Sequence, residues 1–393
     1  MVTIDSADPS NVPGLFTAQR LYPLLKWAGG KEQELKYILP NLPASYTNYY
    51  EPFVGGGAVY TAIQASGYYV NDRSGELISV YRSITDDQRT VFFQSLDDMV
   101  AGWDQLTNLA TANREYFITV YRQFSADCIT DEQVESELVG FIEQNRPILD
   151  SLFSSAISFR KEHFITELNK NLVRKIKRVK LIEKGKGPLP DEDVLGNMET
   201  AMKSAYYMQI RYIYNHVQAF AAAPGVAAAL FLFIRNYAYS GMFRYNGKGG
   251  FNVPYGGMEY NRKNFSRKID YLRSAALRNR LENTTIENLD FESFFQKWPP
   301  GQDDFIFLDP PYDSEFSTYA GNEFTRDDQA RLADYLLRDC KAKWMLIIKN
   351  TDFVYKLYHD KGLNMSMFEK KYLVSFMNRN NRKAEHLLIS NYS

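Results

Sequence analysis

The chain has almost no cysteine. Cys128 and Cys340 are the two in 393 residues, with no CxxC pair and no His-rich neighbourhood around either. That excludes a disulfide framework and argues against a zinc or other metal site, and both are expected to be ordinary buried or half-buried thiols. Long apolar runs are missing too. The longest, Val226 to Ile234 after Pro224-Gly225, falls far short of the roughly 20 residues that a membrane-spanning helix requires. No basic-then-apolar pattern opens the sequence, so a folded, soluble, cytoplasmic protein with no membrane partner is expected. An overall basic excess, the usual footprint of a nucleic-acid binder, is absent, because 46 Lys and Arg meet 47 Asp and Glu. The phosphate-loop signature GxxxxGK[ST] is absent as well: Lys31 in "WAGGKE" is followed by Glu32.

What is present is unevenly distributed. From Arg235 to Glu282 ten Lys/Arg face three acids, so one segment carries a local positive field. Residues 1 to 20, with Asp8-Pro9 and Pro13-Gly14, are expected to be a flexible leader. "TNYYEPFVGGGAVYTAIQASGYYVND" then reads as strand, glycine loop, helix and strand, the grammar of an open α/β sheet. Between about Asp86 and Asn283 the pattern becomes long and amphipathic without alternating strands, which predicts a mostly helical module. Within it, "TDEQVESELVGFIEQN" is acidic and "NKNLVRKIKRVKLIEKGKG" is basic, a pairing expected of neighbouring helices, and "GKGPLPDED" reads as the loop that follows. Strand signals return in "DDFIFLD", "KWMLIIK", "EKKYLVSF" and "AEHLLIS", with a helix expected at "RDDQARLADYLLRD". The sheet is therefore split by an insertion.

Two motifs carry chemistry. The glycines of "EPFVGGG" let backbone approach a ligand closely and leave helix N–H groups for an anionic group. Asp72 closes the next strand, where an acid can accept hydrogen bonds from ribose hydroxyls. In "FIFLDPPY", Pro310 and Pro311 remove two backbone donors and stiffen the turn, leaving an acceptor array. Asp309 and the Pro310 carbonyl can each accept one hydrogen of an exocyclic amine, with Tyr312 as a flat face for the ring. That suits a nucleobase N6 or N4 amine.

The order "LLKWAGGK", "YYEPFVGGGAVY", "NDRSGELISVY", "RNYAYSGMFRYNGKGGFNVPYG", "DFIFLDPPY" and "RKAEHLLISNY" resembles the Dam-type, alpha-class DNA adenine-N6 methyltransferases. The resemblance implies a Rossmann-like α/β sheet that binds S-adenosylmethionine, formed by residues 21–85 and 286–393. It also implies a target-recognition domain at residues 86–285, with an additional helical insertion at about 123–215 that has no family counterpart. Trp27, Lys31, Asp72 and Asp309 would contact the methyl donor, with Glu51, Phe53, Gly55 and Gly57 beside them. Asp309, Pro310, Pro311 and Tyr312 would hold a flipped adenine. In the DNA, Tyr239 would wedge at the site, Arg244 would read guanine, Lys26 would contact an outer base pair, and Pro254 would touch the site through its ring. Ser240 and Met242 depart from the Asn and Leu usual in relatives that read GATC, so a GATC-like site is a first expectation only. Duplex DNA is the implied partner, with a cognate restriction endonuclease as a further one.

Three other readings stay open. A cytosine-N4 enzyme uses the same geometry but more often has Ser before PPY. A protein-glutamine methyltransferase would have no reason to carry Arg244, and a dead methyltransferase fold that only binds DNA would be expected to lose pocket residues retained here. Cytosine-C5 transfer needs a cysteine usually preceded by proline, whereas Asp127 and Asp339 precede these two.

Overall fold

The computed structural model describes residues 2–3, 21–311, 324–371 and 383–393. The chain divides into two compact units, residues 1–82 with 274–393 and residues 83–273. The first contains an eight-stranded sheet of β1 Val2–Thr3, β2 Asn48–Glu51, β3 Gly67–Asn71, β4 Thr284–Glu287, β5 Phe305–Leu308, β6 Lys343–Lys349, β7 Asn364–Lys371 and β8 Lys383–Ser390. Their order is β1-β7-β8-β6-β5-β2-β3-β4. Strands β2 to β6 pair in parallel, whereas β8 runs antiparallel to both β6 and β7.

Both faces of the central strands are covered, which is why "FIFL" and "WMLII" are apolar throughout rather than alternating. Ile306, Leu308, Trp344, Leu346 and Ile348 point to one face, as period-two geometry requires. They pack there with Phe294, Leu332 and Tyr358. These last come from helices α14 Phe291–Lys297, α15 Arg326–Asp334 and α16 Asp352–Tyr358. Truncating a fully buried member such as Ile306 to Ala should cost roughly 2 to 5 kcal/mol. The sheet unit also holds α1 Leu35–Ile38, α2 Ala58–Ala62, α3 Gly75–Ser83 and α13 Ala275–Glu282, α3 running one residue past the division.

The second unit is built from α4 Arg89–Ala112, α5 Arg114–Ser125, α6 Asp131–Gln144, α7 Arg146–Ser151, α8 Lys161–Lys186, α9 Asp191–Asn215, α10 Pro224–Tyr237, α11 Met258–Asn261 and α12 Ser266–Arg273. Its described residues form no strand, only the isolated bridges Ala238–Tyr255 and Tyr245–Phe251. The acidic and basic runs are indeed neighbouring helices. Lys177 of α8 bonds Asp131 and Glu135 of α6, each at 2.7 Å, and Lys180 reaches Asp127 at 2.5 Å. Val226 to Ile234, the longest apolar run, is the almost wholly buried centre of α10. No helix of the described residues is long and apolar enough to cross a membrane.

Several expectations shift. The run "EKKYLVSF" is borne out as strand over its first three residues, within β7 Asn364–Lys371, which begins five residues before the run; its remainder lies outside the described residues. Strand β4 went unread because its four residues, two of them Thr, are all half-buried at the sheet edge. "DED" of the expected loop is instead the first turn of α9, where three acids face the positive end of the helix dipole. The leader expected to lack structure contributes β1, which pairs with Ser366 and Met367; residues 4–20 lie outside the described residues. Cys128 is exposed rather than buried, and Cys340 is half-buried.

Candidate active site

Strands β2, β3 and β5 are adjacent and parallel, so their C-terminal ends open on the same edge of the sheet. Ligands of open α/β sheets bind outside such ends. Here β2 delivers Glu51 and the glycine loop, β3 delivers Asp72, and β5 delivers Asp309-Pro310-Pro311.

The glycine loop is held from several sides. Gly55 has φ +50° and Gly57 φ +79°, the left-handed region that favours glycine. The Leu24 N–H donates to the Gly56 carbonyl at 2.9 Å, and the Tyr81 hydroxyl to the Gly55 carbonyl at 2.9 Å. A Cβ at Gly56 would sit 2.4 Å from the Leu25 carbonyl oxygen, one at Gly57 2.5 Å from the Tyr81 hydroxyl, and one at Gly55 2.9 Å from Trp27. The close approach expected of a ligand is thus, at these atoms, made by the chain's own Leu25, Trp27 and Tyr81.

Asp72 braces this loop. Its carboxylate accepts from the Gly55 N–H at 3.0 Å and the Ser74 N–H at 2.9 Å. Burial pushes the Asp72 carboxyl up to about 6, against the pull of those two bonds. Each oxygen retains a second lone pair, the capacity needed to accept from hydroxyl groups.

Sequence separation hides the most important pairing. The Lys31 ammonium lies 2.5 Å from Asp309 Oδ2 and donates also to the Gly29 carbonyl at 2.8 Å. Lys31 is 3% exposed and Asp309 18%, so this is a largely buried ion pair that fixes one carboxylate oxygen. Glu51 is buried, with the Tyr49 hydroxyl donating to it at 2.7 Å. Burial above all, with the charge of Asp309 adding, holds the Glu51 carboxyl well above the usual carboxylate range. Half-buried Phe53 packs edge-on to Phe324 and beside Phe291.

Beyond the acid, Pro310 is buried and Pro311 exposed, and Tyr312 lies outside the described residues. A residue absent from the sequence reading holds the turn: Gln329, fully buried on α15, donates its amide to the Pro311 carbonyl at 2.8 Å. Its Oε1 is buried without a hydrogen-bond partner among the described residues. Helix α15 is started by a reciprocal cap between Thr325 and Asp328, which sets where Gln329 falls. A glutamine inside a strongly charged helix reads as surface, so nothing in the pattern pointed to it.

The expected DNA-reading residues, Lys26 apart, belong to the helical unit. Tyr239 is 50% exposed, and Ser240 beside it has φ +51°. Arg244 and Pro254 are exposed and Met242 is half-buried. The loop is rigidly anchored: Phe243, Phe251 and Val253 are buried, and Tyr207 and Arg211 of α9 both donate to the Val253 carbonyl at 3.0 Å. Asn252 accepts from Arg244 Nε at 2.8 Å, orienting the guanidinium. Lys26 is exposed in the sheet unit. The local positive field is thinner than the count implied, because Arg235 is buried under the Gly241 and Met242 carbonyls and Arg280 under those of Tyr60 and Ile63. Among the described residues no group of His, Cys, Asp and Glu could hold a metal ion.

The family model of the D12 class N6 adenine-specific DNA methyltransferases matches residues 27–164 and 162–376. The Type II methyltransferase M.CviBI of Paramecium bursaria Chlorella virus NC1A is 24% identical over 375 residues, covering 94% of this chain and 99% of its own length. The Type II methyltransferase M.MjaIII of Methanocaldococcus jannaschii is 26% identical over 395 residues, with 94% and 99% covered. A DNA adenine methylase of Vibrio cholerae is 30% identical over 165 residues, which cover 40% of this chain and 56% of that protein. With its sheet, its strand-end acids and its sequence matched over most of its length, the chain belongs to the D12 class of N6 adenine-specific DNA methyltransferases.

Proposed function

We propose that the methyl group comes from S-adenosylmethionine and goes to N6 of an adenine flipped out of duplex DNA, at a GATC-like site. The observation that carries this reading is the Lys31–Asp309 pair at the strand edge shared with Asp72 and the glycine loop. The donor set suits such a cofactor. Asp72 has acceptor capacity for ribose hydroxyls, Lys31 and Asp309 supply one charge of each sign for its amino-acid end, and Trp27 and Phe53 are half-buried aromatics beside the loop. When bound, the cofactor supplies a sulfonium methyl that a nucleophile can take in one displacement. Everything else is done by the protein.

Lys31 holds Asp309 by one oxygen, so the carboxylate is fixed in orientation before substrate arrives. Asp309 and the Pro310 carbonyl would then accept hydrogen bonds from the two N–H groups of the amine, drawing its lone pair out of conjugation; as N–C forms, the C–S electron pair would leave with the sulfur and one N–H proton would be lost from the methylated amine. Gln329 keeps the turn in register through the Pro311 carbonyl. Tyr312 is assigned the stacking face on its sequence position alone. In the recognition loop Arg244, steadied by Asn252, forks onto guanine, Tyr239 and Ser240 enter the stack, and Met242 and Pro254 make apolar contact; from the sheet unit, Lys26 meets an outer base pair. A cognate restriction endonuclease fits the Type II names of two relatives.

Expression in a host lacking DNA methylation, followed by sequencing at single-base resolution, is the test. N6-methyladenine confined to one short motif is expected, abolished by Asp309→Ala while DNA binding persists. Equal methylation by that variant would overturn the role of Asp309, and calorimetry with S-adenosylmethionine on Asp72→Ala tests the donor site separately.

A further inference from the structure

Helix α8, which falls within the residues the family model matches, carries two differently treated sets of cations. Lys177 and Lys180 are neutralised by Asp131, Glu135 and Asp127. Arg174, Lys175 and Arg178 pair with no acid among the described residues. They stand three and four positions apart, a spacing at which like charges on a helix repel. Repulsion from Arg178 and Arg174 adds to burial in lowering Lys175. Such a row suits an external polyanion.

Its position narrows which one. Asn171 Oδ1 accepts from Arg174 at 2.7 Å and from Ser204 of α9 at 3.2 Å, so the Arg174 end of the row stands at the α8–α9 seam. Along the same helix α9, Thr200 and Lys203 bond Asn261, and Tyr207 and Arg211 carry Val253 of the recognition loop. Ser204 and Arg211 are about 10 Å apart along the helix, roughly three nucleotides of DNA backbone. We propose that Arg174, Lys175 and Arg178 form a phosphate track that grips duplex DNA flanking the bases read by the loop. The inference rests on duplex DNA being the substrate.

Arg174→Gln/Lys175→Gln/Arg178→Gln is compared with the unaltered chain on two duplexes, one ending just outside the methylated site and one extended by a helical turn on each side. Loss of three phosphate contacts should flatten the plot of log affinity against log salt by about 2.7, so that the fall between about 50 and 200 mM salt shrinks by roughly 40-fold. The unaltered chain should prefer the longer duplex and the triple variant should not. Arg178→Gln alone should give about a third of the slope change, which decides the matter if the triple variant does not fold. Lys177→Gln should lower the melting temperature and leave the slope unmoved. An unchanged slope in folded triple or single variants overturns the track while leaving the methyltransferase reading intact. Failure of the unaltered chain to bind or methylate any duplex would instead remove the DNA reading on which both depend.

Discussion

Replacing Lys31 by Met strands the Asp309 carboxylate. Lys31 is 3% exposed and its ammonium lies 2.5 Å from an Asp309 oxygen. Breaking a buried pair from one side costs roughly 3 to 5 kcal/mol, and the lower end applies because Asp309 retains 18% exposure. Asp309→Asn removes the countercharge of the ammonium instead, while the bond to the Gly29 carbonyl is kept. In the double variant neither charge is left alone, so its cost should fall short of the sum of the singles by roughly 2 to 3 kcal/mol. Urea unfolding measures this, in a Trp103→Phe background so that fluorescence follows Trp27, Trp298 and Trp344 of the sheet unit. A coupling within about 0.5 kcal/mol of zero would refute the claim that this pair fixes the acid.

Other outcomes follow from the same geometry. Because burial lifts Asp72 to about 6, the folded chain binds that proton more tightly than the unfolded one; its contribution is present below about pH 4 and lost as pH rises through 6. Stability relative to Asp72→Asn should therefore fall by roughly 2 to 3 kcal/mol over that window, and a flat difference would count against it. Gln329→Leu leaves the Pro311 carbonyl without its donor and should cost about 1 to 3 kcal/mol of stability, with kcat falling more than KM rises. Steady-state methylation checks the second part, and an unaltered kcat would show that the turn holds itself. Arg244→Ala should lose about 1 to 3 kcal/mol of discrimination at one guanine. Asn252→Ala should reproduce part of that loss at the same base, as read from methylation of substituted sites.

How much of this was legible depends on whether the information was local. Strands β5 and β6 announced themselves because burial on both faces demands uninterrupted apolar residues, as in "KWMLIIK". The start of β7 is hard to read because "NMSMF" carries little of the β-branched signal, and β4 because an edge strand needs only one Ile. The pairing of the acidic and basic helices was visible in complementary composition, yet its division into neutralised and unneutralised cations was not, since that depends on helix rotation. Lys31 and Asp309 are 278 positions apart, so each could be named by resemblance but their contact only by folding. Gln329 and Asn252 position other groups through single hydrogen bonds, which leave no periodic trace.

Splitting the sheet around the helical unit also sets a timetable for synthesis. Strand β2 ends at Glu51, while its neighbour β5 begins at Phe305. At about 5 to 20 residues per second, the ribosome needs roughly 13 to 50 seconds to deliver it. Until β4 and β5 are made, the β2–β3 pair, with Tyr49, Tyr50 and Tyr68 that end buried, waits with both edges unpaired while the helices between can already condense. Tyr49, Tyr50 and Tyr68 are thus open to wrong partners until the strands on either side have been made.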